Sequence, residues 1–281
     1  MSKGYKRVIA CLGMAGAFIA EYAIQIAVMI VVMVFLSITG YADNLLTAIQ
    51  KPDVSGIASV LIAVISIAFF GLVYYLFRKY GIIGKEVPQD IIPAKGAYYF
   101  GLVVLGTAVQ AFGYGALNFI CMYASDTEIV RHYNEIMQNL NVSLSPFILL
   151  YACVLAPISE EIIFRGVTLD FARTGFRTGT AVFLSAILFG IFHMNIIQGI
   201  YAAVFGIILG YVRVKRNSLV DSVITHMTIN IAGVSLVPVA AAFLAMLIGN
   251  AGSYAMLAIL GLIVITMWFL RDTRTREEMM L

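Results

Sequence analysis

Residues 8–39 read VIACLGMAGAFIAEYAIQIAVMIVVMVFLSIT, an apolar run in which Glu21 and Gln25 are the main interruptions. A helix needs about 20 apolar residues to cross the hydrocarbon core of a bilayer, which is about 30 Å thick. The run is also too long for the apolar core of a secretory signal peptide, which has about 7–15 residues. We therefore predict that residues 8–39 form a first, tilted membrane span that the protein retains.

The rest of the chain is similarly apolar. Hydrophobic residues make up 62% of the chain and charged residues only 12%, against about 25% charged residues in an ordinary soluble domain. Seven further apolar segments cover about 55–77, 97–122, 146–169, 178–193, 199–212, 218–248 and 251–270. Runs this continuous favour helices, because a helix satisfies its own backbone polar groups in lipid. We predict an all-α, polytopic transmembrane bundle of about eight spans, with short fifth and sixth spans and a seventh interrupted at Pro238.

The lysines and arginines supply an independent test of this count. With eight spans, one side of the membrane holds 15 of the 18 basic residues, namely Lys3, Lys6, Arg7, Arg78, Lys79, Lys85, Lys95, Arg173, Arg177, Arg213, Lys215, Arg216, Arg271, Arg274 and Arg276. The other side holds Lys51 and Arg131, and Arg165 is placed at a helix end. Because cytoplasmic loops are rich in lysine and arginine, we predict that both termini are cytoplasmic.

No composition shift marks a domain boundary, so we divide the chain by its motifs. Residues 1–145 hold the N-terminal spans and an external segment, 123–145, that we expect to form a short interfacial helix. Residues 146–250 hold the polar residues described next, and residues 251–281 form the last span and a cytoplasmic tail. The net charge of +3 is too small to suggest a nucleic-acid partner.

Ionisable residues inside spans are costly and are commonly functional. The later spans hold Glu160, Glu161, Arg165, His193 and His226, and Asn230 follows His226 by one helical turn. The i,i+4 spacing of Glu161 and Arg165 predicts an ion pair. Glu160 is rotated by about 100° on the same helix and therefore faces a different cavity. Glu21 in the first span receives no role from its sequence context.

Two neighbouring residues extend this pattern. Phe189 precedes His193 by four residues, so both lie on one helix face. Pro157 comes just before the two glutamates and removes a backbone donor. We expect Pro157 to kink the helix and to widen a polar pocket there.

These residue types suit hydrolysis of an amide without a covalent intermediate. A carboxylate beside a neutral imidazole can deprotonate a water, which then attacks a carbonyl carbon. A second imidazole and a side-chain amide can stabilise the oxyanion that forms. The same residues also suit a proton-coupled transporter, or a non-catalytic protein that binds a partner in the bilayer.

Three motifs in this region resemble those of the CPBP family of intramembrane proteases, which includes type II CAAX prenyl endopeptidases and Abi-type bacteriocin-immunity proteins. Residues 160–165, EEIIFR, match EExxxR; residues 189–193, FGIFH, match FxxxH; and residues 226–230, HMTIN, match HxxxN. The resemblance covers about residues 147–232. It implies that Glu160 and His193 activate the water and that His226 and Asn230 form the oxyanion hole. Glu161, Arg165 and Phe189 are expected to support these four residues.

The resemblance also bears on cofactor, substrate and location. The family has been described as metalloproteases, and Glu160, His193 and His226 suit zinc in type and number. The zinc signature HExxH is absent from the sequence, so we expect no metal cofactor and keep this zinc set as the alternative. The implied substrate is a membrane-embedded or lipidated peptide or protein. We expect a prokaryotic plasma membrane as the location.

Overall fold

The computed structural model describes residues 2–40, 44–49, 51–81, 94–142 and 145–270. Within these ranges all regular structure is helical and no strand occurs, which confirms the all-α, polytopic prediction. Lys85, Arg271, Arg274 and Arg276, four of the basic residues used for the topology, lie outside the described residues. The predicted cytoplasmic tail also lies outside them.

The described part of the chain forms twelve α-helices and two π-helical segments. The first half contains α1 (Lys3–Thr39), α2 (Leu45–Ile49), α3 (Pro52–Tyr80), α4 (Gly96–Tyr123) and α5 (Glu128–Val142). A long composite helix follows: α6 (Pro146–Leu150), π1 (Tyr151–Leu155), α7 (Ala156–Glu161), π2 (Ile162–Thr168) and α8 (Leu169–Gly175). The remainder contains α9 (Thr178–Phe192), α10 (Ile196–Arg216), α11 (Leu219–Val234) and α12 (Leu236–Leu270).

Helix length separates two groups of apolar helices. Among the described residues, six helices are long and apolar enough to cross a bilayer: α1, α3, α4, Pro146–Gly175, α10 and α12. The shorter apolar helices α9 and α11 have 15 and 16 residues, or about 22–24 Å at 1.5 Å per residue. The fifth predicted span is therefore shorter than the hydrocarbon core, whereas the sixth, as α10, is long enough.

The seventh predicted span, 218–248, is interrupted, but at a different residue from the one predicted. Its break falls at Ser235, whose φ of −129° and ψ of −83° end α11, and not at Pro238. Pro238 lies in the first turn of α12, where the missing backbone donor costs nothing because first-turn donors have no intrahelical partner. A second change of direction occurs at Gly249, whose φ of 72° and ψ of 166° are not helical.

Packing divides the chain into two compact units. Unit 1 comprises Met1–Pro88 and Glu135–Leu188, and unit 2 comprises Gln89–Asn134 and Phe189–Leu281. The division of the sequence into 1–145, 146–250 and 251–281 followed motifs and stays a prediction.

In unit 1, α1 packs against α3 and α8, and α3 also packs against α6, π1, α7 and π2. The approach of α3 is close because Gly56 has no side chain: a β-carbon there would lie 2.9 Å from the β-carbon of Phe147. Arg78 of α3 forms an ion pair at 3.5 Å with the fully buried Asp170 of α8. Helix α3 thus holds the composite helix at both of its ends.

In unit 2, α4 packs against α11 and, most extensively, against α12. The hydrophobic core of these helices, which α10 completes, includes Leu102, Leu105, Val109, Phe205, Leu209, Val212, Ile229 and Ile265. The turn between α10 and α11 is held by an ion pair at 2.9 Å between Arg216 and the fully buried Asp221. Ser218 caps α11 and also donates to Asp221 at 2.8 Å.

The segment that the sequence predicted to be external contains a helix, α5, and its interfacial position stays a prediction. Within unit 2, Tyr133 of α5 is hydrogen-bonded to Tyr201 of α10, which joins the two helices. Burial raises the pKa of Tyr133 to about 12. Tyr133 therefore stays neutral at physiological pH and keeps its hydrogen bond there.

Candidate active site

The composite helix Pro146–Gly175 changes its winding around the two glutamates. The π-helical segments π1 and π2 flank α7, which carries Glu160 and Glu161. Such wide turns are rare and are frequent at functional sites. Pro157 follows π1 directly, and the backbone stays helical at the junctions of π1 and α7. The winding changes next to the proline, where the sequence predicted a kink.

The two adjacent glutamates lie in different environments. Oε1 of Glu161 lies 3.0 Å from Nη1 of Arg165, and both side chains are fully buried. This is the ion pair that the i,i+4 spacing predicted. Glu160 is only half-buried. Glu161 therefore balances a buried cation, whereas Glu160 is the more exposed of the two glutamates.

Arg165 lies in the interior of its helix, whereas the sequence predicted that it lies at the helix end. The predicted span ended near residue 169, but the helix continues to Gly175, so Arg165 is in its interior and not at its end. The winding at π2 is supported from α9, since Oγ of Ser185 donates to the carbonyl oxygen of Phe164 at 2.7 Å. Ser185 thereby gives a hydrogen-bond partner to a carbonyl of the wide turn.

His193 lies where α9 ends. Its Nδ1 is 2.9 Å from the carbonyl oxygen of Phe189. A carbonyl oxygen accepts only, so this bond places the proton of a neutral imidazole on Nδ1 and leaves a lone pair on Nε2. Met194 then adopts a positive φ of 52°, and Asn195 caps α10 by accepting from the backbone of Gln198 at 3.0 Å. The turn thus fixes an imidazole whose Nε2 can accept a proton or bind a metal ion.

Phe189 brings the two histidines of unit 2 together. Its ring is edge-to-face with His193 at 4.8 Å and with His226 at 5.7 Å between centroids. Phe189 and His226 are buried, and His193 and Asn230 are half-buried. Asn230 follows His226 by one turn on α11. The sequence placed Phe189 on the face of His193, but its contact with His226 could not be predicted, since the two lie on different helices.

Unit 1 contains a second polar group that the sequence left without a role. Glu21 of α1 accepts hydrogen bonds from Oγ of Ser66 at 2.7 Å and from Nε2 of Gln25 at 3.0 Å. Tyr151 of π1 lies in the same unit, on a segment that packs against α3. Sequence reasoning missed Ser66 and Tyr151, because a single serine or tyrosine in an apolar helix carries no signal of its own.

The predicted site residues are divided between the units. Unit 1 holds Glu160, Glu161 and Arg165, and unit 2 holds Phe189, His193, His226 and Asn230. Within each unit, the described residues contain no group of three His, Cys, Asp or Glu side chains that could hold a metal ion. The zinc set considered from the sequence takes one ligand from unit 1 and two from unit 2. The catalytic and metal-binding roles of these residues stay predictions.

The helices and the polar residues within them define an integral membrane protein with titratable groups inside its apolar segments. Residues 142–232 match the family model described as Rce1-like, type II CAAX prenyl endopeptidase. The matched region contains the site residues of both units, Glu160 through Asn230. Over this region the chain is similar to the type II CAAX prenyl endopeptidases, which supports the resemblance indicated by the three motifs.

This match supports a protease of the hydrolase class. A membrane protease family implies a peptide or protein substrate within or near the membrane. Comparison with the curated proteins and with the solved structures finds no match to the chain.

Proposed function

We propose that this chain is an intramembrane endopeptidase that hydrolyses a peptide bond of a membrane-associated protein or peptide with a water activated by Glu160 and His193. The observation that carries the proposal is the difference between the adjacent glutamates. Glu161 is buried in an ion pair with Arg165, and Glu160 is half-buried. Glu160 is thus the more exposed member of the pair, and we assign to it the activation of water.

In the proposed reaction, the Glu160 carboxylate and Nε2 of His193 hold the attacking water. Glu160 takes a proton from this water as its oxygen bonds to the carbonyl carbon of the substrate. The carbonyl oxygen becomes an oxyanion, and the imidazole of His226 and the amide of Asn230 donate hydrogen bonds to it. When the carbon–nitrogen bond breaks, the proton on Glu160 passes to the leaving amine. The products are a new carboxyl terminus and a new amine.

Two features of the residues support these roles. The bond from Nδ1 of His193 to the Phe189 carbonyl leaves Nε2 with its lone pair free for the water. The ring of Phe189 contacts His193 and His226, so one buried aromatic side chain orients an imidazole from each of two helices. Asn230 is half-buried one turn after His226 on the same helix, and we assign its amide to the oxyanion beside that imidazole.

The test is cleavage of a quenched fluorogenic peptide library by the purified full chain, in detergent and in lipid vesicles. The library contains prenylated and unmodified peptides. We expect Glu160→Gln and His193→Ala to lower cleavage by a factor of about 10² or more, the usual contribution of a general base. Glu128→Gln is the matched control, because Glu128 is exposed on α5 and should leave the rate unchanged. Cleavage by Glu160→Gln at the wild-type rate would overturn the mechanism.

The same assay separates the glutamate mechanism from a zinc mechanism. A chelator is added to the wild type, and zinc is then returned. Unchanged cleavage supports activation of water by Glu160 and His193 alone. Loss on chelation and recovery with zinc would keep the protease and assign Glu160, His193 and His226 as zinc ligands.

Two other classes remain as outcomes of the test. Substrate-dependent flux across the vesicle membrane without cleavage would favour a proton-coupled transporter. A cellular immunity phenotype that survives Glu160→Gln would favour a non-catalytic protein that binds a partner. Preferential cleavage of the prenylated peptides would define the substrate as a lipidated chain.

A further inference from the structure

Unit 1 carries four exposed cations at the ends of three of its segments. Lys3 and Arg7 lie at the start of α1, Lys79 lies in the last turn of α3, and Arg177 follows the end of α8 by two residues. All four side chains are exposed. We refer to these four residues as the basic surface.

Helix packing within unit 1 brings these segments to one end of the unit. The end of α8 lies against the start of α1, because a β-carbon at Gly175 would lie 2.8 Å from the α-carbon of Arg7. The end of α3 is joined to α8 by the ion pair of Arg78 with Asp170 at 3.5 Å. Residues that are far apart in the sequence therefore contribute to a single charged surface.

The charge of the basic surface is not offset from below. Among the described residues at this end of unit 1, the acidic side chain is that of Asp170, which is fully buried. Arg78 and Arg173 each lie 3.5 Å from this carboxylate. Two arginines thus already balance the buried acid, and the four exposed cations give this end of the unit a positive field.

The helices that carry the basic surface become apolar directly beside it. Val8 and Leu12 follow Arg7 on α1, and both are exposed. Leu72 precedes Lys79 by seven residues, or two helical turns, so it lies on the same face of α3, where it is exposed. A ligand that fits both parts has a negative head and apolar chains. A soluble anion or a nucleic acid would use the cations and leave the apolar part without a partner.

Two exposed tyrosines mark the boundary between the charged part and the apolar part. Nζ of Lys79 lies 5.6 Å from the ring centroids of both Tyr75 and Tyr80. Tyrosine is enriched at the level of the lipid headgroups, where its ring meets apolar chains and its hydroxyl meets water. The end of α3 therefore suits the depth at which lipid phosphates lie.

We propose that the basic surface binds anionic phospholipids of the leaflet that is predicted to be cytoplasmic. The lipid phosphate contacts the four cations, and the acyl chains lie along the exposed apolar faces of α1 and α3. Clusters of basic residues next to membrane helices bind anionic headgroups in this way. The inference goes beyond the proposed hydrolysis, because it gives the N-terminal helices a ligand of their own.

The test is lipid binding to the purified full chain in detergent, with bound lipids counted by native mass spectrometry. Short-chain phosphatidylglycerol is the anionic probe, and phosphatidylcholine with the same chains is the neutral one. We expect the wild type to bind phosphatidylglycerol about 10-fold more tightly or better, since each basic residue near the headgroups contributes roughly fivefold. Equal affinity of the wild type for the two lipids would overturn the proposal.

A triple variant, Lys3→Gln with Lys79→Gln and Arg177→Gln, locates the binding. It should bind phosphatidylglycerol about 10-fold more weakly or worse and leave phosphatidylcholine binding unchanged. The matched control is Lys51→Gln with Lys95→Gln and Arg131→Gln, which removes three positive charges from exposed positions elsewhere. This control should keep the wild-type affinity for phosphatidylglycerol. Wild-type affinity in the first variant, or equal losses in both, would contradict binding at the basic surface.

Two further measurements do not depend on the folding of the glutamine variant. Exchange of each cation for the other type, as Lys3→Arg with Lys79→Arg and Arg177→Lys, keeps the charge and should keep the preference for phosphatidylglycerol. Loss of that preference would contradict a role for charge.

Inorganic phosphate tests whether the ligand is a lipid or a free anion. Phosphate at the concentration of the lipid should not displace phosphatidylglycerol, because it has no acyl chains to contact α1 and α3. Displacement at equal concentration would show a site for a free anion and would overturn the assignment of a phospholipid.

Discussion

At the scale of single residues, Glu160 and Glu161 have the same carboxylate side chain but lie in different surroundings. The carboxylate of Glu161 lies 3.0 Å from the guanidinium of Arg165, and both residues are fully buried. A buried ion pair adds little net stability, but removal of one partner leaves a buried charge without compensation. Substitution of each glutamate should therefore have a different consequence.

We predict that Glu161→Gln destabilises the protein by about 3–5 kcal/mol, because it leaves the charge of Arg165 uncompensated in the interior. The unfolding midpoint in detergent should fall by roughly 6 °C or more. Glu160→Gln is the matched control, since it changes the same chemical group one residue away where the side chain is half-buried. Equal midpoints for the two variants would show that the ion pair does not support the fold.

The sequence predicted those contacts that lie within one helix. The ion pair of Glu161 with Arg165 followed from a spacing of four residues, which is a local property of the helix. The partner of Glu21 did not follow, because Ser66 is 45 residues away and on another helix. The contact between Phe189 and His226 is of the same kind. Hydrophobic periodicity orients a helix face, but it does not identify the helix opposite.

At the scale of helices, close packing in unit 2 depends on glycine. A β-carbon at Gly261 of α12 would lie 2.6 Å from the carbonyl oxygen of Ala108 and 2.6 Å from the backbone nitrogen of Phe112, both in α4. Backbone atoms of a helix cannot move aside as a flexible side chain can. Small residues let membrane helices approach this closely, and their contact area stabilises the pair.

We predict that Gly261→Ala separates α4 from α12 and costs about 1–3 kcal/mol, or a midpoint lower by roughly 2 °C or more. Gly71→Ala is the matched control, because a β-carbon at Gly71 in α3 meets no atom within 4 Å. Alanine is also the better helix former, so this control should be neutral or slightly stabilising. A Gly261→Ala protein with the wild-type midpoint would contradict the packing argument.

Helix existence was predictable here, and helix boundaries were less so. Each predicted apolar segment coincides with helix, because in lipid the backbone must satisfy its own hydrogen bonds. The break between α11 and α12 falls at Ser235 and not at Pro238, since proline fits the first turn of a helix. The two π-helical segments have no sequence signal of their own. Their winding is supported by contacts such as that of Ser185 with Phe164, which belong to the folded unit.

At the scale of the whole molecule, the distribution of basic residues predicts the orientation in the membrane. Three of these residues, Arg213, Lys215 and Arg216, end α10 and are buried within unit 2. The ammonium group of Lys215 lies 3.9 Å from the ring centroid of Trp268, which stabilises a cation through the face of the ring. Positive side chains near a helix C-terminus also interact favourably with the helix dipole. These charges therefore support the fold as well as the predicted orientation.

The orientation has a direct test at the two ends of α4. Lys95 precedes α4 and Asp126 follows it, both are exposed, and the helix between them has 28 residues, or about 42 Å at 1.5 Å per residue. The two positions should therefore lie on opposite sides of the bilayer. The excess of basic residues predicts that Lys95 is cytoplasmic and that Asp126 is external.

We predict that a membrane-impermeant maleimide labels an Asp126→Cys variant in intact cells and labels a Lys95→Cys variant only after lysis. The parent protein for both variants has Cys11, Cys121 and Cys153, its native cysteines, replaced by alanine, and peptide cleavage by this parent is the check that it folds. Labelling of Lys95→Cys alone in intact cells would reverse the orientation and place both termini outside, against the positive-inside rule. Labelling of both variants in intact cells would mean that α4 does not cross the membrane, which would contradict the span count on which the topology rests.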